Sequence, residues 1–251
     1  MSHPVQAPAL HALGSAEILS VWERGTRASR TRRALLLLAA GQPDTDIDAL
    51  ARLPIGERDR RLLLLRRLTF GDRMSSVAEC PACAERLEFM LNVSELLVPP
   101  PASERLAFRQ DGWSLSLRPP DTLDLLSIEC LSDIGRAVRA LVARCVTEVA
   151  RDEGEATVEA LPEALIEHLS ELLDAYDPQA DVRLSLSCPA CDHTWSARFD
   201  IADTLWREVA SEARRVAWDV HLLATAYGWT EAEIFNLSAT RRALYIQMVT
   251  G

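Results

Sequence analysis

The chain has 251 residues, 48 % of them apolar, and a formal net charge of −10 at pH 7. These totals are typical of a soluble globular protein that buries a sizeable core as one elaborated domain or two small ones. The longest apolar run, residues 34–40, falls far short of the roughly 20 residues of a membrane span. The N-terminus lacks the charged-then-apolar order of a signal peptide, so we expect a cytoplasmic protein, where free thiols and zinc are favoured over disulfides.

The sequence patterns predict an α+β fold that is mostly helical, with two β-ribbons and a small hairpin. We divide the chain into five regions. They are an N-terminal helical region (1–73), a first ribbon (74–98), an inserted hairpin with helices (99–181), a second ribbon (182–204) and a C-terminal helical region (205–251).

The N-terminal region carries 12 arginines against 8 acids, a net charge of +4. A flexible arm over 1–14 precedes predicted helices over 16–25, 31–40 and 57–68, with a polar turn over 42–48 and Gly71 ending the third helix. Five arginines flank the Leu62–Leu65 block of that helix: Arg58, Arg60, Arg61, Arg66 and Arg67. They form either a solvated rim around a core stripe or a docking surface for an acidic partner.

The same tetrapeptide occurs twice in the chain, as Cys80–Cys83 and Cys188–Cys191, both Cys-Pro-Ala-Cys. Apolar residues follow each copy at every second position, which predicts a tight turn leading into a half-buried strand. Two cysteines separated by two residues supply two corners of the tetrahedron that structural zinc prefers. The sequence therefore predicts one structural Zn²⁺ held by all four cysteines, across an insertion whose length costs little loop-closure entropy.

Other interpretations of these cysteines stay open: two separate metal sites, one of them using His193, two disulfides, or unligated thiols. A redox role is disfavoured because neither pair opens a helix after a buried strand. The remaining two, Cys130 and Cys145, are expected to be core or near-core thiols.

The inserted region predicts a hairpin over 106–117 turning at Asp111-Gly112, helices over 121–129 and 133–149, an acidic loop over 152–159 and a helix beginning at Pro162. Residues 74–200 contain 10 arginines against 23 acids, a net −13. Such a charge argues against a nucleic-acid partner.

The C-terminal region predicts a helix over 209–227 that ends at Gly228, because apolar residues recur there at helical spacing. Thr230 and Glu233 form a capping box for a short helix, and a last helix carries Arg241 and Arg242. The segment 229–251 either packs on the preceding helix or helps to dock a partner.

The sequence shows no catalytic motif: there is no GxSxG, phosphate loop or GxGxxG, and the five histidines are scattered. A zinc ion with four thiolate ligands also has no open coordination position. We therefore expect a non-enzyme with no small-molecule substrate.

Several segments together resemble the baseplate hub assembly chaperone proteins of T-even-type contractile phages, in the longer, zinc-ribbon-bearing version found in phage-like contractile injection systems. The segments are Ile18–Gly25 with Arg33–Leu35, Leu53–Asp59 leading through Phe70-Gly71 to Cys80–Cys83, Leu117–Leu125, and Tyr227–Leu237 with Arg241–Tyr245.

The resemblance implies a cytoplasmic assembly or structural protein of a contractile tail, incorporated in the particle or released after assembly. Its partners would be baseplate or hub proteins, and the family offers no catalytic residues to carry over. A zinc-ribbon nucleic-acid-binding regulator is the alternative function.

Overall fold

The computed structural model describes residues 9–101, 103, 105–154 and 156–251. These residues form the α+β fold that the sequence predicts. The helices are α1 (Ser15–Gly25), α2 (Arg30–Gly41), α3 (Ile47–Ala51), α4 (Ile55–Phe70), α5 (Val93–Leu96), α6 (Thr122–Ile128), α7 (Ile134–Cys145), α8 (Glu163–Tyr176), α9 (Ile201–Tyr227), α10 (Glu231–Phe235) and α11 (Ala239–Thr250). The strands are β1 (Arg73–Glu79), β2 (Arg86–Asn92), β3 (Leu106–Gln110), β4 (Trp113–Leu117), β5 (Val146–Arg151), β6 (Arg183–Ser187) and β7 (Thr194–Arg198). Residues 1–8 of the predicted flexible arm lie outside the described part of the chain.

The larger hydrophobic core is built from both ends of the chain. Leu37 of α2 and Leu65 of α4 are fully buried beside Leu205 and Val209 of α9. Met74 at the start of β1 joins the same cluster. The long helix α9 therefore packs on the N-terminal helices and completes this core.

The inserted region has a hydrophobic cluster of its own. Strands β3, β4 and β5 form an antiparallel sheet in that order, and helices α7 and α8 cover one face of it. Trp113 and Leu117 of β4 are buried against Val142 and Leu169. The hairpin turn lies at Asp111 and Gly112, with φ angles of 51° and 78°, as this residue pair predicts.

Several elements differ from the sequence prediction. Helix α9 begins at Ile201 and not at residue 209. The helix predicted over 133–149 ends at Cys145, and Val149 instead pairs with Leu115 across the sheet. The apolar residues there fit both periodicities, and pairing with β4 decides for the strand. The predicted polar turn over 42–48 is also shorter, because the Asp46 side chain accepts a bond from the Asp48 N–H and starts α3.

The arginines flanking the leucine block mostly bind acids of the chain itself. Arg66, only 4 % exposed at its side chain, forms two hydrogen bonds to Glu208 of α9, of 3.0 and 2.7 Å. Arg58 is likewise buried and bonds to Asp59 at 2.8 Å. For Arg58 and Arg66, both predictions, a solvated rim and a docking surface, are wrong.

Arg242 of α11 is buried as well and donates to the Ser15 hydroxyl at 2.7 Å. Of the two arginines in the segment predicted to pack or to dock a partner, only Arg241 is therefore exposed. None of the described helices combines the length and apolar character needed to cross a membrane.

Candidate metal centre

The first Cys-Pro-Ala-Cys motif forms a tight turn that joins β1 to β2. The Cys80 N–H donates to the Glu85 carbonyl, and the Ala84 N–H donates back to the Cys80 carbonyl, both at 2.9 Å. Ala84 has a φ of 61°, in the left-handed region. The turn thus brings Cys80 and Cys83 to the end of the ribbon.

The second motif repeats this turn between β6 and β7. The Cys188 N–H donates to the His193 carbonyl and the Asp192 N–H donates to the Cys188 carbonyl, again at 2.9 Å. Asp192 has a φ of 56°. The repeated tetrapeptide therefore encodes a repeated backbone conformation, with the left-handed residue directly after the second cysteine.

The two turns meet, and their four sulfur atoms lie within 4.8 Å of one another. Cys80 Sγ lies 3.7 Å from Cys191 Sγ, and Cys83 Sγ lies 3.6 Å from Cys188 Sγ. A tetrahedron with Zn–S bonds of about 2.3 Å has edges of roughly 3.8 Å. The sulfurs are therefore spaced as four ligands of one metal ion.

The same distances argue against the alternatives for these cysteines. A disulfide needs an S–S separation of about 2.05 Å, and all six cysteines are free. Because the four thiols form one group, two separate sites are disfavoured, and the ring of His193 instead stacks on Trp195, with centroids 6.1 Å apart.

The thiol groups influence one another's ionisation. Desolvation opposes the Cys80 thiolate, but hydrogen bonds from the backbone of Ala82 and Cys83 and from the Cys83 and Cys188 thiols bring the pKa of Cys80 down to about 7. The thiolate state of Cys80 is thus the one that its neighbours stabilise. Thiolates are the form of cysteine that binds a metal ion.

Cys83 shows the opposite balance. A backbone hydrogen bond from Glu85 favours its thiolate, but hydrogen bonding to Cys191, desolvation, and hydrogen bonding to Cys188 and Cys80 together raise the pKa of Cys83 to about 12. Without a cation, the group therefore keeps protons that a bound metal ion would displace.

The other two cysteines lie apart from this group. Cys145 is buried, and desolvation raises its pKa to about 12, so it is the core thiol that the sequence predicts. Cys130 is exposed, and its expected place in or near the core is wrong. It lies between α6 and α7.

Sequence reasoning gave no role to Asp124, a buried ionic group. Asp124 has no exposed side-chain surface and bonds to Arg118 at 2.6 Å and to Arg144 at 2.8 Å. It also completes a capping box with Asp121 at the start of α6. The Asp-x-x-Asp spacing before an apolar run is the sequence signal that could have identified this capping box.

A model of the family described as T4 bacteriophage base plate protein matches residues 37–206, about two thirds of the chain. The matched range contains both Cys-Pro-Ala-Cys turns, the whole inserted region and the first turns of α9. No curated protein and no solved structure gave a significant match.

Proposed function

Because the chain belongs to the T4 bacteriophage base plate protein family, we propose that it acts without catalysis in assembling the hub of a contractile tail or of a related injection system. The family membership is the observation that carries this proposal, and it gives the protein a structural or assembly role in a baseplate. The predicted resemblance to T-even-type baseplate proteins is confirmed at this level.

The second part of the proposal is a structural Zn²⁺ bound by Cys80, Cys83, Cys188 and Cys191. Their spacing supports it, and Cys80 and Cys188 are buried while the other two face solvent. Bound there, the ion would supply no reaction chemistry, because four protein ligands leave no open position. Its effect would be to fasten the two ribbons, and through them α4 and α9, into one unit.

The partners in this proposal are other baseplate or hub proteins in the cytoplasm of the producing cell. The segment 229–251 would contribute to docking them. Most of its apolar side chains pack on the chain, Ile234 fully, but Leu244 and Met248 of α11 remain 54 % and 67 % exposed.

A deletion of the gene with complementation tests the role. Cells that encode the tail gene cluster without this gene should make sheath and tube proteins but no complete baseplates. The wild-type gene should restore complete baseplates. Complete, contractile particles from the deleted cluster would overturn the proposal. Mass spectrometry of purified particles then separates a resident component from a factor that leaves after assembly.

Metal analysis of the purified protein, without added zinc, tests the second part. We expect about one zinc per chain, falling below one tenth in Cys188→Ser and unchanged in Cys130→Ser. A folded protein with no metal, or with iron instead, would contradict it.

A further inference from the structure

Beyond Arg73, whose carbonyl accepts a hydrogen bond from Arg66 at 2.9 Å, strand β1 has a free backbone edge. It pairs with β2 and with no other strand in the described part of the chain. Cys80 and Glu85 form a hydrogen-bonded pair at the ribbon's end, and bonded and non-bonded pairs alternate along an antiparallel ladder. The even-numbered residues of β1 therefore bond to β2. The N–H and C=O groups of Ser75 and Val77 point the other way, to the open edge.

This edge borders a groove of about 440 Å³ between the two ribbons and α9. Residues 75–78 of β1 form one wall. The groove is also lined by apolar side chains, among them Phe89 of β2, Leu184 and Leu186 of β6, and Phe199 just after β7. The groove is also lined by serines and charged residues, so it is mixed in character. A free strand edge beside such a groove provides the two things that strand addition uses, which are main-chain hydrogen bonds and room for alternate side chains.

Two of the three acids that line the groove pair with arginines of α2 and α4. Asp200 pairs with Arg30 at 3.1 Å, and Glu208 pairs with Arg66 at 2.7 Å. Their charges are therefore held by the fold and do not demand a cationic ligand.

The two arginines of the groove are placed differently. The side chains of Arg198 and Arg207 are 69 % and 72 % exposed. Each pairs through Nε with one carboxylate, Asp181 at 3.1 Å and Asp203 at 3.2 Å. A guanidinium has five N–H donors, so each can still bind a further carboxylate. These two exposed guanidiniums, each with N–H donors to spare, can therefore bind an acidic side chain of a ligand.

We propose that an extended segment of a partner protein adds to β1 as a third strand. Its apolar side chains, at every second position, enter the groove, and a flanking Asp or Glu binds Arg198 or Arg207. The inference rests on the proposed metal clasp, because the groove exists only while both ribbons are held together. It goes beyond the clasp in assigning a partner-binding surface and the chemistry of the segment that fits it.

A displayed library of random seven-residue peptides tests the proposal, with the zinc-loaded full chain as the target. We expect enriched peptides to alternate apolar and polar residues and to contain an Asp or Glu. N-methylation of those peptide amides that face β1 should weaken binding about tenfold or more, since each removes a main-chain hydrogen bond, and N-methylation of the alternate amides should not.

Variants of the chain locate the site. Val77→Pro removes the N–H at the open edge and should abolish peptide binding, whereas Val77→Ala, which keeps the N–H and changes only an outward side chain, should retain it. Arg198→Glu combined with Arg207→Glu should reverse the preference for acidic peptides. Zinc content is measured for every variant, so that loss of the clasp is distinguished from loss of the groove.

Failure of this proposal is separable from failure of the metal site. If no peptide is enriched on a chain that holds one zinc, strand addition is overturned and the clasp is left intact. Enrichment of peptides without alternation, or of peptides that bind Val77→Pro as well as wild type, also overturns strand addition. If Val77→Pro loses its zinc, the pattern of N-methylation effects on the wild-type chain decides alone.

Discussion

At the scale of single residues, the chain has clustered, buried and exposed cysteines. A pair of serine substitutions distinguishes a clustered cysteine from an exposed one that lies apart from the cluster. Cys188→Ser removes one of four ligands and should lower the melting temperature by about 10 °C or more, because structural zinc contributes its binding free energy to folding. Cys130→Ser changes an exposed side chain and should lower it by less than about 2 °C. Thermal denaturation of both variants checks this, and equal shifts would show that metal does not distinguish them.

Thiol reactivity gives an independent count of the cysteines that bind the proposed metal ion. In the native protein Cys130 alone should react rapidly with a disulfide reagent, since the proposed metal ion would protect the four clustered cysteines, including the exposed Cys83 and Cys191. A strong chelator should remove the metal and make four more thiols reactive. Cys145 should react only after denaturation, because burial raises its pKa to about 12 and keeps it protonated. Rapid reaction of five thiols before chelation would contradict the metal site.

Asp124 holds the inserted region together through its charge. We expect Asp124→Asn to lower the free energy of unfolding by about 3 kcal/mol at pH 7, because Arg118 and Arg144 lose their shared partner. The matched control is Glu148→Gln, which breaks the exposed pair with Arg105 and should cost less than about 1 kcal/mol. Denaturant unfolding measures both.

The pH dependence of the same variant has a definite sign. Desolvation opposes the Asp124 charge, but hydrogen bonds from Arg118, the Asp121 backbone and Arg144 lower its pKa below the usual 3.8. Its stabilising contribution is therefore present above about pH 4 and is lost as the pH falls through the folded-state pKa. The stability difference between wild type and Asp124→Asn should narrow below about pH 4, and a difference that widens there would contradict the assignment.

At the scale of elements, the N-terminus of α4 is capped by a residue 121 positions away in sequence. The Pro54 side chain cannot cap it, and the buried Asp177 carboxylate instead accepts the Gly56 N–H at 2.9 Å. A Cβ at Gly56 would lie 1.8 Å from Asp177 Oδ1. Glycine is therefore required there by space rather than by backbone conformation.

This cap predicts opposite outcomes for two glycines in first helical turns. Gly56→Ala should lower the free energy of unfolding by about 2 kcal/mol, because the cap must move away. At Gly135 of α7 the nearest atom to a new Cβ, an Asp133 oxygen, is 3.5 Å away, so Gly135→Ala should be neutral or stabilise by up to about 1 kcal/mol. Denaturant unfolding compares them, and equal effects would show that Asp177 does not occupy the space.

The elements also show what the sequence could and could not predict. The part of α9 from residue 209 onward and the Asp111-Gly112 turn follow from local patterns, and the repeated tetrapeptide identified the four cysteines that lie together. The partners of Arg66 and Gly56 could not be predicted, because Glu208 and Asp177 lie more than 100 residues away. Strand β5 was missed for a related reason, since only its pairing with β4 excludes a longer α7.

Helix α11 has an apolar stripe that stays largely exposed in the described part of the chain. Leu244 and Met248, four residues apart, lie on the same exposed face. We expect Leu244→Ser combined with Met248→Ser to leave the melting temperature within about 2 °C and to reduce the yield of complete particles. Gln247→Ser, also exposed, is the control for yield. Full yield from the double variant would show that this face does not dock a partner.

At the scale of the whole molecule, charge separates the baseplate role from the alternative of a nucleic-acid-binding regulator. Duplex DNA is bound by clustered cations that release counterions. Here the net charge is −10, and the first ribbon's outer face carries mixed charges, with Arg86 beside Glu88 at 3.4 Å. The more basic N-terminal region does not compensate, because its Arg58 and Arg66 are buried in ion pairs with Asp59 and Glu208.

We therefore expect no binding of duplex DNA with a dissociation constant below about 10 µM at 150 mM salt, a range in which non-specific DNA-binding proteins still bind. Fluorescence anisotropy of a labelled duplex checks this at 50 and 150 mM salt. The zinc-loaded protein must be used, because loss of the metal would unfasten the ribbons and expose surface that the folded chain buries. A sub-micromolar constant that weakens steeply with salt would mean that the described ion pairs do not hold in solution, and would restore the regulator as the better function.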